Sequence, residues 1–248
     1  RVVECTDLRL KLGEGLECTV RQLGLDWQGD ALGGGDALDD STGVYVWATS
    51  ILLARWVVSL AHELDGKRVL ELGAGCGVPS LAAQMGAQTA CLLATDAFEH
   101  SIQNLEHNLR SNTVRGGGEG GSAQRLDWGN ASSWPERGSW DVLLGSDLVY
   151  DAAHVPSLVK AANCLASTRG CTFFYCAPSI RDGLDSFVRG MGIAGWQVSS
   201  EEVPPTFYEN PMLLPDGEEE DEEERKRLLL LHFPEMGEGG YTLYRFTR

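Results

Sequence analysis

The sequence lacks long hydrophobic runs and is poor in cationic residues. Its apolar runs are only a few residues long, far short of the roughly 20 that a membrane-spanning helix needs, so we expect no membrane segment. Only 20 Lys and Arg stand against 36 Asp and Glu, a formal net charge of −16. This charge disfavours a nucleic acid as partner and favours a basic protein or a small cation. No second block of distinct composition appears in the 248 residues, which indicates one well-buried α/β domain.

Paired cysteine motifs are also missing. The seven cysteines are scattered, odd in number and never in C-x-x-C spacing, which is typical of reduced thiols inside a cell. The five histidines do not combine with them at zinc-like spacing, so we predict no metal. We expect a cytoplasmic monomer, with the nucleus as an alternative location.

The most informative stretch present is residues 69–77, which read V-L-E-L-G-A-G-C-G. This pattern predicts a strand that ends in a glycine-rich turn and opens a helix whose N-terminus points back at a ligand. Gly73, Gly75 and Gly77 remove Cβ atoms where the backbone bends tightly and approaches that ligand. A loop without a ligand is the alternative, because such spacing also arises by chance in a chain with 30 glycines.

An acid ends the next predicted strand. The apolar residues 90–95 lead to Asp96, the position from which doubly wound sheets contact the ribose of an adenosine. Asp96 could also cap the helix that follows it. Val78 stands where the dinucleotide fingerprint needs its last glycine. The spacing therefore favours S-adenosylmethionine over NAD as cofactor.

The order of predicted elements is that of a mainly parallel α/β sheet. Alternating residues over 2–12 and 16–22 predict an N-terminal β-hairpin, and helical spacing over 46–64 predicts a helix before the glycine turn. Strands and helices then alternate, which predicts a sheet covered on both faces. The predicted strands are 67–72, 90–95, 123–127, 141–146 and 170–176, and the predicted helices are 78–86, 98–111, 152–166 and 182–192.

The end of the chain offers three further strand candidates, at 195–203, 227–233 and 241–247. We expect the first and the last to pair as an antiparallel hairpin at the sheet edge. An insertion of about 204–227 contains D-G-E-E-E-D-E-E-E at 216–224, which predicts a mobile, solvated segment that is dispensable for folding or recruits a basic partner. We divide the chain into a hairpin and Gly/Asp-rich loop, 1–43, and a main domain, 44–248.

Four motifs occur in order: T-G-V-Y-V-W around Trp47, E-L-G-A-G-C-G, L-D-W at 126–128 and D-L-V-Y at 147–150. With them, residues 42–176 resemble the family 16 lysine methyltransferases, seven-β-strand enzymes that use S-adenosylmethionine. The D-x-x-Y element is the specific part of this resemblance. It implies a Rossmann-like seven-stranded sheet with an antiparallel C-terminal edge, and transfer of a methyl group to a lysine of a protein substrate.

The resemblance also implies a set of cofactor-binding residues. Asp96 would accept from the ribose hydroxyls, Asp127 and Trp128 would border the adenine, and the glycine turn would admit the methionine end. Trp47 and Trp128 could instead be core aromatics, the commoner fate of tryptophan. The full set is Trp47, Glu71, Gly73, Ala74, Gly75, Gly77, Asp96, Asp127, Trp128 and Ser146.

The catalytic residues implied are Asp147 and Tyr150. Their acceptor atoms would hold and orient the substrate amine beyond the end of the fourth strand of the parallel sheet. A carboxylate beside an ammonium also stabilises its charged form, so we assign Asp147 to recognition and positioning. In the alternative, Asp147 caps the helix that begins near Ala152 and Tyr150 is packing.

Two other functions remain open at this point. The fold hosts many methyl acceptors, so a small amine or another side chain could be methylated. A function of a different class is also open: the chain could be an interaction protein that binds the cofactor with little turnover.

Overall fold

The computed structural model describes residues 2–13, 15–25, 42–213 and 222–248. The predicted Gly/Asp-rich loop up to residue 41 and most of the acidic run, 216–221, lie outside these residues. The strands are β1 Val2–Gly13, β2 Leu16–Leu25, β3 Arg68–Glu71, β4 Cys91–Asp96, β5 Ser122–Arg125, β6 Val142–Ser146, β7 Thr172–Pro178, β8 Gln197–Glu202 and β9 Tyr241–Thr247. The helices are α1 Ala48–Ser59, α2 Ala61–Leu64, α3 Val78–Gly86, α4 Glu99–Ser111, α5 Val155–Leu165, α6 Leu184–Ile193 and α7 Glu222–His232.

Seven strands form one sheet in the order β5-β4-β3-β6-β7-β9-β8. The first five are parallel, whereas β9 runs antiparallel to both β7 and β8. This arrangement confirms the predicted α/β sheet with its antiparallel C-terminal edge. The direction of chain progression reverses between β3 and β6, and ligands of open α/β sheets bind beyond the carboxyl ends of the strands at such a switch point.

Helices cover both faces of the sheet, as the alternation in β7 shows. Phe174 packs with the core on the α1 and α3 side, and its ring meets Trp56 edge-on at 5.0 Å. Phe173 and Tyr175 belong to the core on the α5 and α6 side, where both rings contact Phe187. Successive side chains of a strand point to opposite faces, so a nearly continuous apolar strand is buried on both.

The predicted N-terminal hairpin is confirmed and forms its own two-stranded sheet, β1 with β2. Two asparagines of α4 and the C-cap residue Asn112, each four residues from the next, attach it to the domain. Asn108 Oδ1 accepts from the Arg21 N–H at 2.9 Å, and Asn104 Nδ2 donates to the Arg21 carbonyl at 2.8 Å. Asn112 bonds both the N–H and the carbonyl of Thr19. Residues four apart share one helix face, so α4 presents a row of amides to the backbone of β2.

The first part of the predicted insertion packs against the hairpin. The buried Arg55 side chain of α1 donates to the carbonyls of Phe207, Glu209 and Lys11. Residues 211–213 run beside β1, because the Lys11 N–H bonds the Pro211 carbonyl at 2.7 Å. One guanidinium with its five donors therefore ties two distant segments to α1.

The strand candidate at 227–233 is wrong, because these residues lie largely in α7, Glu222–His232. A short apolar run such as the four leucines 228–231 fits a buried strand and a helix equally well by periodicity. The Glu, Arg, Lys and Leu residues of this segment are strong helix formers, and here that propensity prevails. Within the described ranges, no helix is both long enough and apolar enough to cross a membrane.

Candidate active site

The glycine turn lies directly after β3, at the switch point of the sheet. Gly73, Gly75 and Gly77 adopt φ values of 57°, 55° and 82°, in the left-handed region that favours glycine. A Cβ on Gly75 would lie 3.2 Å from the Gly43 carbonyl oxygen, and one on Gly77 would lie 2.3 Å from a methyl of Leu105. The sequence therefore uses glycine here for both its backbone conformation and its lack of a side chain.

Asp96 fastens this turn to the start of α4. One of its carboxylate oxygens accepts from the Gly75 N–H at 3.0 Å, and the other accepts from the Phe98 N–H at 3.2 Å. Burial raises the pKa of Asp96, while these backbone hydrogen bonds oppose the rise. Asp96 is therefore not the N-cap of α4, a position that Phe98 takes, and its carboxylate instead closes a turn just before that helix. Each carboxylate oxygen keeps a further acceptor position, so the predicted bond to a ribose hydroxyl remains chemically available.

Glu71 lies beneath the turn. Its side chain is fully buried, and Oε2 accepts from both the backbone N–H and the hydroxyl of Ser80 at the start of α3. Oε1 is buried and has no hydrogen-bond partner among the described residues. Burial raises the pKa of Glu71 to about 8. Glu71 therefore supports the turn and α3 from inside the core, and its predicted contact with a cofactor stays a prediction.

Trp128 lies beside the turn, whereas Trp47 is a surface aromatic. The Trp128 ring lies 3.4 Å from the position that a Cβ on Gly73 would take. Trp47 is 51% exposed, so it is not a core aromatic, and its Nε1 donates to the Thr42 carbonyl at 2.9 Å. The Asp127 carboxylate accepts from the Gly129 N–H at 2.8 Å, which shapes the bend that carries Trp128.

The D-L-V-Y motif follows Ser146, the last residue of β6. Asp147 has φ 49° and is the one non-glycine residue with positive φ among the residues that the structure describes. Its N–H donates to the Cys176 carbonyl at 2.8 Å, and the Leu148 N–H donates to the Tyr175 hydroxyl at 3.1 Å. These two bonds to β7 hold the bend at Asp147 and Leu148. Such a conformation of a non-glycine residue is uncommon and concentrates at functional sites.

The alternative roles considered for this motif do not match the structure. The carboxylate that caps the turn at Ala152 is Asp151, which accepts from the Ala153 N–H at 2.8 Å. Tyr150 is 49% exposed, so its ring is not packed in the core. Asp147 instead forms a two-pronged ion pair with Arg181, in which Nε and Nη2 each donate to one carboxylate oxygen.

The structure brings the separate motifs together beyond the carboxyl ends of the central strands, the region called the cleft below. A Cβ on Gly73 would lie 2.7 Å from Leu148 and 3.4 Å from Trp128, so the glycine turn, D-L-V-Y and L-D-W elements meet there. Sequence reasoning missed Arg181, Gly43 and Ser80. Arg181 carried a usable signal, because it follows β7 closely and the carboxyl ends of parallel strands share one edge.

The residues of this cleft fit an adenosine-bearing cofactor. They supply a buried carboxylate with acceptor capacity at Asp96, an aromatic ring at Trp128, and a tight turn of three left-handed glycines. Ala74 is buried within the same turn, and its N–H bonds the Thr95 carbonyl at 2.8 Å, so the end of β4 also holds the turn.

Sheet order, glycine turn and acid together define the class of S-adenosylmethionine-dependent methyltransferases. A solved structure of this class from Mesorhizobium loti matches with a TM-score of 0.51 at 15% identity, covering 79% of this chain and 98% of that one. The cyclase SpnF matches with a TM-score of 0.54 at 11% identity, over 87% of this chain and 84% of its own. Such distant likenesses show the fold alone. Residues 29–191 match the lysine methyltransferase family, and the chain belongs to that family.

Curated relatives carry related names. The protein-lysine N-methyltransferase EFM3 of Chaetomium thermophilum is 27% identical over 66% of this chain and 51% of its own length. The protein N-lysine methyltransferase METTL21A of Danio rerio is 32% identical over 49% and 55%. The histone-arginine methyltransferase METTL23 of Xenopus laevis is 26% identical over 78% and 81%. The chain thus spans about half the length of the first two relatives.

Proposed function

We propose that the chain transfers a methyl group from S-adenosylmethionine to the side-chain amine of a lysine in a protein substrate. The observation that supports this proposal most is the contact of Gly73 with Leu148 and Trp128. Through it the D-L-V-Y motif lies beside the glycine turn. Family membership and the names of the relatives EFM3 and METTL21A support the lysine specificity.

The residues of the chain act by binding, orienting and excluding water. The cofactor supplies a methyl group that its sulfonium already activates. The glycine turn, Asp96 and Trp128 would hold it. Lysine has an ordinary pKa of about 10.4, so its ammonium must lose a proton before the nitrogen can attack. Asp147 and the Tyr150 hydroxyl would then align the neutral amine with the methyl group, since correct alignment is the main contribution that a protein can add here.

The partner that suits this site is a basic protein. A net charge of −16 attracts lysine-rich surfaces and repels phosphate backbones, and the exposed Tyr45, Trp47 and Tyr150 offer aromatic contact area. We further propose that the protein acts as a monomer in the cytoplasm, in keeping with its scattered, unpaired cysteines.

A second candidate is methyl transfer to an arginine of a basic protein. The named histone-arginine methyltransferase METTL23 aligns over 78% of this chain, more than either lysine-modifying relative described above. A guanidinium would meet the same carboxylate, Asp147, because carboxylates pair well with both cations.

Labelled S-adenosylmethionine and a heat-treated cell lysate test the proposal. We expect label in discrete protein bands, and mass spectrometry should place it on lysine. Asp147→Asn should abolish most of this label while leaving cofactor affinity, measured by calorimetry, nearly unchanged. Label on arginine would favour the second candidate. Label in small molecules, or cofactor binding without transfer, would reject protein methylation.

A further inference from the structure

The carboxylate assigned to the substrate amine already holds a cation of the chain itself. Arg181 lies in the segment between β7 and α6, and Nε donates to Asp147 Oδ1 at 2.8 Å while Nη2 donates to Oδ2. The guanidinium fork thus fixes both oxygens. The Asp147 side chain remains 18% exposed and that of Arg181 37% exposed, so the pair is partly open to solvent and does not lie in the core.

Three further titratable groups described as interacting with Asp147 carry no charge at neutral pH. Tyr175 and Cys176 of β7 and Tyr241 of β9 interact with the Asp147 carboxylate. Burial raises the pKa of each of these three groups, so they stay protonated and neutral. Burial also raises the pKa of Asp147, and Arg181 opposes that rise. Arg181 is accordingly the residue that balances the charge of Asp147.

An unbalanced carboxylate would harm the reaction proposed above. Asp147 alone would stabilise the ammonium of an incoming lysine and so keep its nitrogen protonated. A carboxylate that already carries a guanidinium is nearly neutral as a pair, yet each oxygen keeps a second lone pair for an N–H donor.

We infer that Arg181 is a positioning residue of the active site: it fixes the Asp147 carboxylate and balances its charge, so that the substrate lysine docks there as a neutral amine. The proton that the ammonium gives up passes to water. This inference rests on the proposed function, because it takes Asp147 as the group that receives the amine.

Two variants separate the charge of Arg181 from its fork geometry. Arg181→Gln removes the charge, and Arg181→Lys keeps the charge without the fork. Arg245→Gln is the matched control, because Arg245 also makes a two-pronged pair with a carboxylate, Glu63, through Nη1 and Nη2, and both side chains are partly exposed. The measurement is single-turnover transfer of labelled methyl into heat-treated lysate protein from pH 6.5 to 9.5 at saturating cofactor, with calorimetric cofactor affinity as a check of folding.

We expect Arg181→Gln to move the midpoint of the pH–rate profile upward by about one unit, the size of effect that a neighbouring charge produces. Its rate should fall roughly tenfold near pH 7.5 and recover at high pH. Arg181→Lys should keep the parental midpoint and reach a lower plateau, and Arg245→Gln should match the parent throughout.

Three results would overturn the inference. A parental midpoint in Arg181→Gln would leave Arg181 a structural role only, and faster transfer at every pH would make it a blocking group. If Arg181→Gln fails to fold, Arg181→Lys decides: a parental plateau would show that the fork is not needed. Asp147→Asn separates the two proposals, since a parental rate in that variant removes the role of Asp147 in the proposed function itself.

Discussion

At the scale of single residues, Asp147 has an unfavourable backbone conformation that its neighbours maintain. Asp147 adopts a left-handed conformation that costs an ordinary residue about 1–2 kcal/mol, and backbone hydrogen bonds to β7 maintain it. Its carboxylate pairs with Arg181, which lies beyond the end of β7. Strain that neighbours maintain in this way is a mark of functional sites.

Tyr150 provides the sharpest test of catalysis at this scale. Tyr150→Phe removes only a hydroxyl, and Asp147→Ala removes the carboxylate. We expect each to slow single-turnover methyl transfer by about 10²-fold, because a misplaced reacting group costs that much. Cofactor affinity, measured by calorimetry on the same samples, should change little. Parental rates in both variants would make the D-L-V-Y element structural.

Asp96 has a structural role and a predicted binding role, so its substitution should show two effects. Asp96→Asn replaces one acceptor oxygen by a donor that cannot bond the N–H of Gly75 or Phe98. Hydrogen bonds to charged groups contribute about 1.5–3 kcal/mol, so we expect a loss of about 2 kcal/mol in unfolding free energy. Urea denaturation measures this loss, and cofactor affinity should fall as well. An unchanged affinity would contradict the predicted ribose contact.

Glu71 should make stability depend on pH. Its folded-state pKa of about 8 lies above the unfolded value of about 4.3, so the folded state binds more protons between these values. The unfolding free energy should therefore fall as pH rises from about 4.5 to 8, by up to a few kcal/mol, since each pKa unit corresponds to about 1.4 kcal/mol.

Glu71→Gln mimics the protonated form and should flatten this slope. Urea titrations at pH 5, 6.5 and 8 measure it. Glu136→Gln, at an exposed carboxylate on the surface, is the control and should keep the parental slope. The same fall with pH in Glu71→Gln as in the parent would show that Glu71 is not the group responsible.

At the scale of elements, helix α4 is the joint between the hairpin and the sheet. Asn108 is fully buried and bonds the N–H and carbonyl of Arg21 as well as the Cys76 carbonyl, at 3.0 Å, in the glycine turn. One side chain therefore connects β2, α4 and the cofactor turn. Breaking such a hydrogen-bond network lowers the unfolding free energy, because each partner that loses its bond stays buried without another.

Asn108→Ala should destabilise the protein by about 3 kcal/mol, since each buried partner left unpaired costs about 1–3 kcal/mol. Guanidinium denaturation provides the measurement. His107→Ala, one position earlier on the exposed face of α4, should change stability by less than about 0.5 kcal/mol. Equal effects of the two substitutions would show that the hydrogen bonds of Asn108 contribute little to stability.

At the scale of the whole molecule, the cleft gathers residues from the ends of β3, β4, β5 and β6. A cofactor at this predicted site would contact several elements at once and would stabilise only the folded chain. At a concentration 100 times its Kd, S-adenosylmethionine should add about 2.7 kcal/mol to the unfolding free energy.

The corresponding rise in Tm is on the order of 5–10 °C for a domain of this size, measured by calorimetric scanning. NAD at the same concentration should leave Tm unchanged, because Val78 replaces the last glycine of the dinucleotide fingerprint. Stabilisation by NAD without stabilisation by S-adenosylmethionine would reject the assigned cofactor class.

Much of the fold followed from local pattern. The alternation in 2–12 and 16–22 predicted the hairpin, and the glycine spacing predicted the turn after β3. The exception is instructive: residues 227–233 were expected as a strand and lie in α7, because an apolar run without a clear period is ambiguous. Of the candidate site, the sequence indicated Gly73, Trp128 and D-L-V-Y as separate motifs, and the structure shows them adjacent.

The sequence by itself determined the order of the elements, the left-handed glycine turn after β3, and the acids that end β4 and follow β6. Each of these features depends only on residues that are close in sequence. Only the tertiary structure decided which polar groups pair: Arg181 with Asp147, the asparagines of α4 with β2, and Ser80 with Glu71. Hydrogen bonds and ion pairs need donor and acceptor within about 3 Å. The packing of helices and loops on the sheet decides which distant residues come that close. A local sequence pattern does not contain this information.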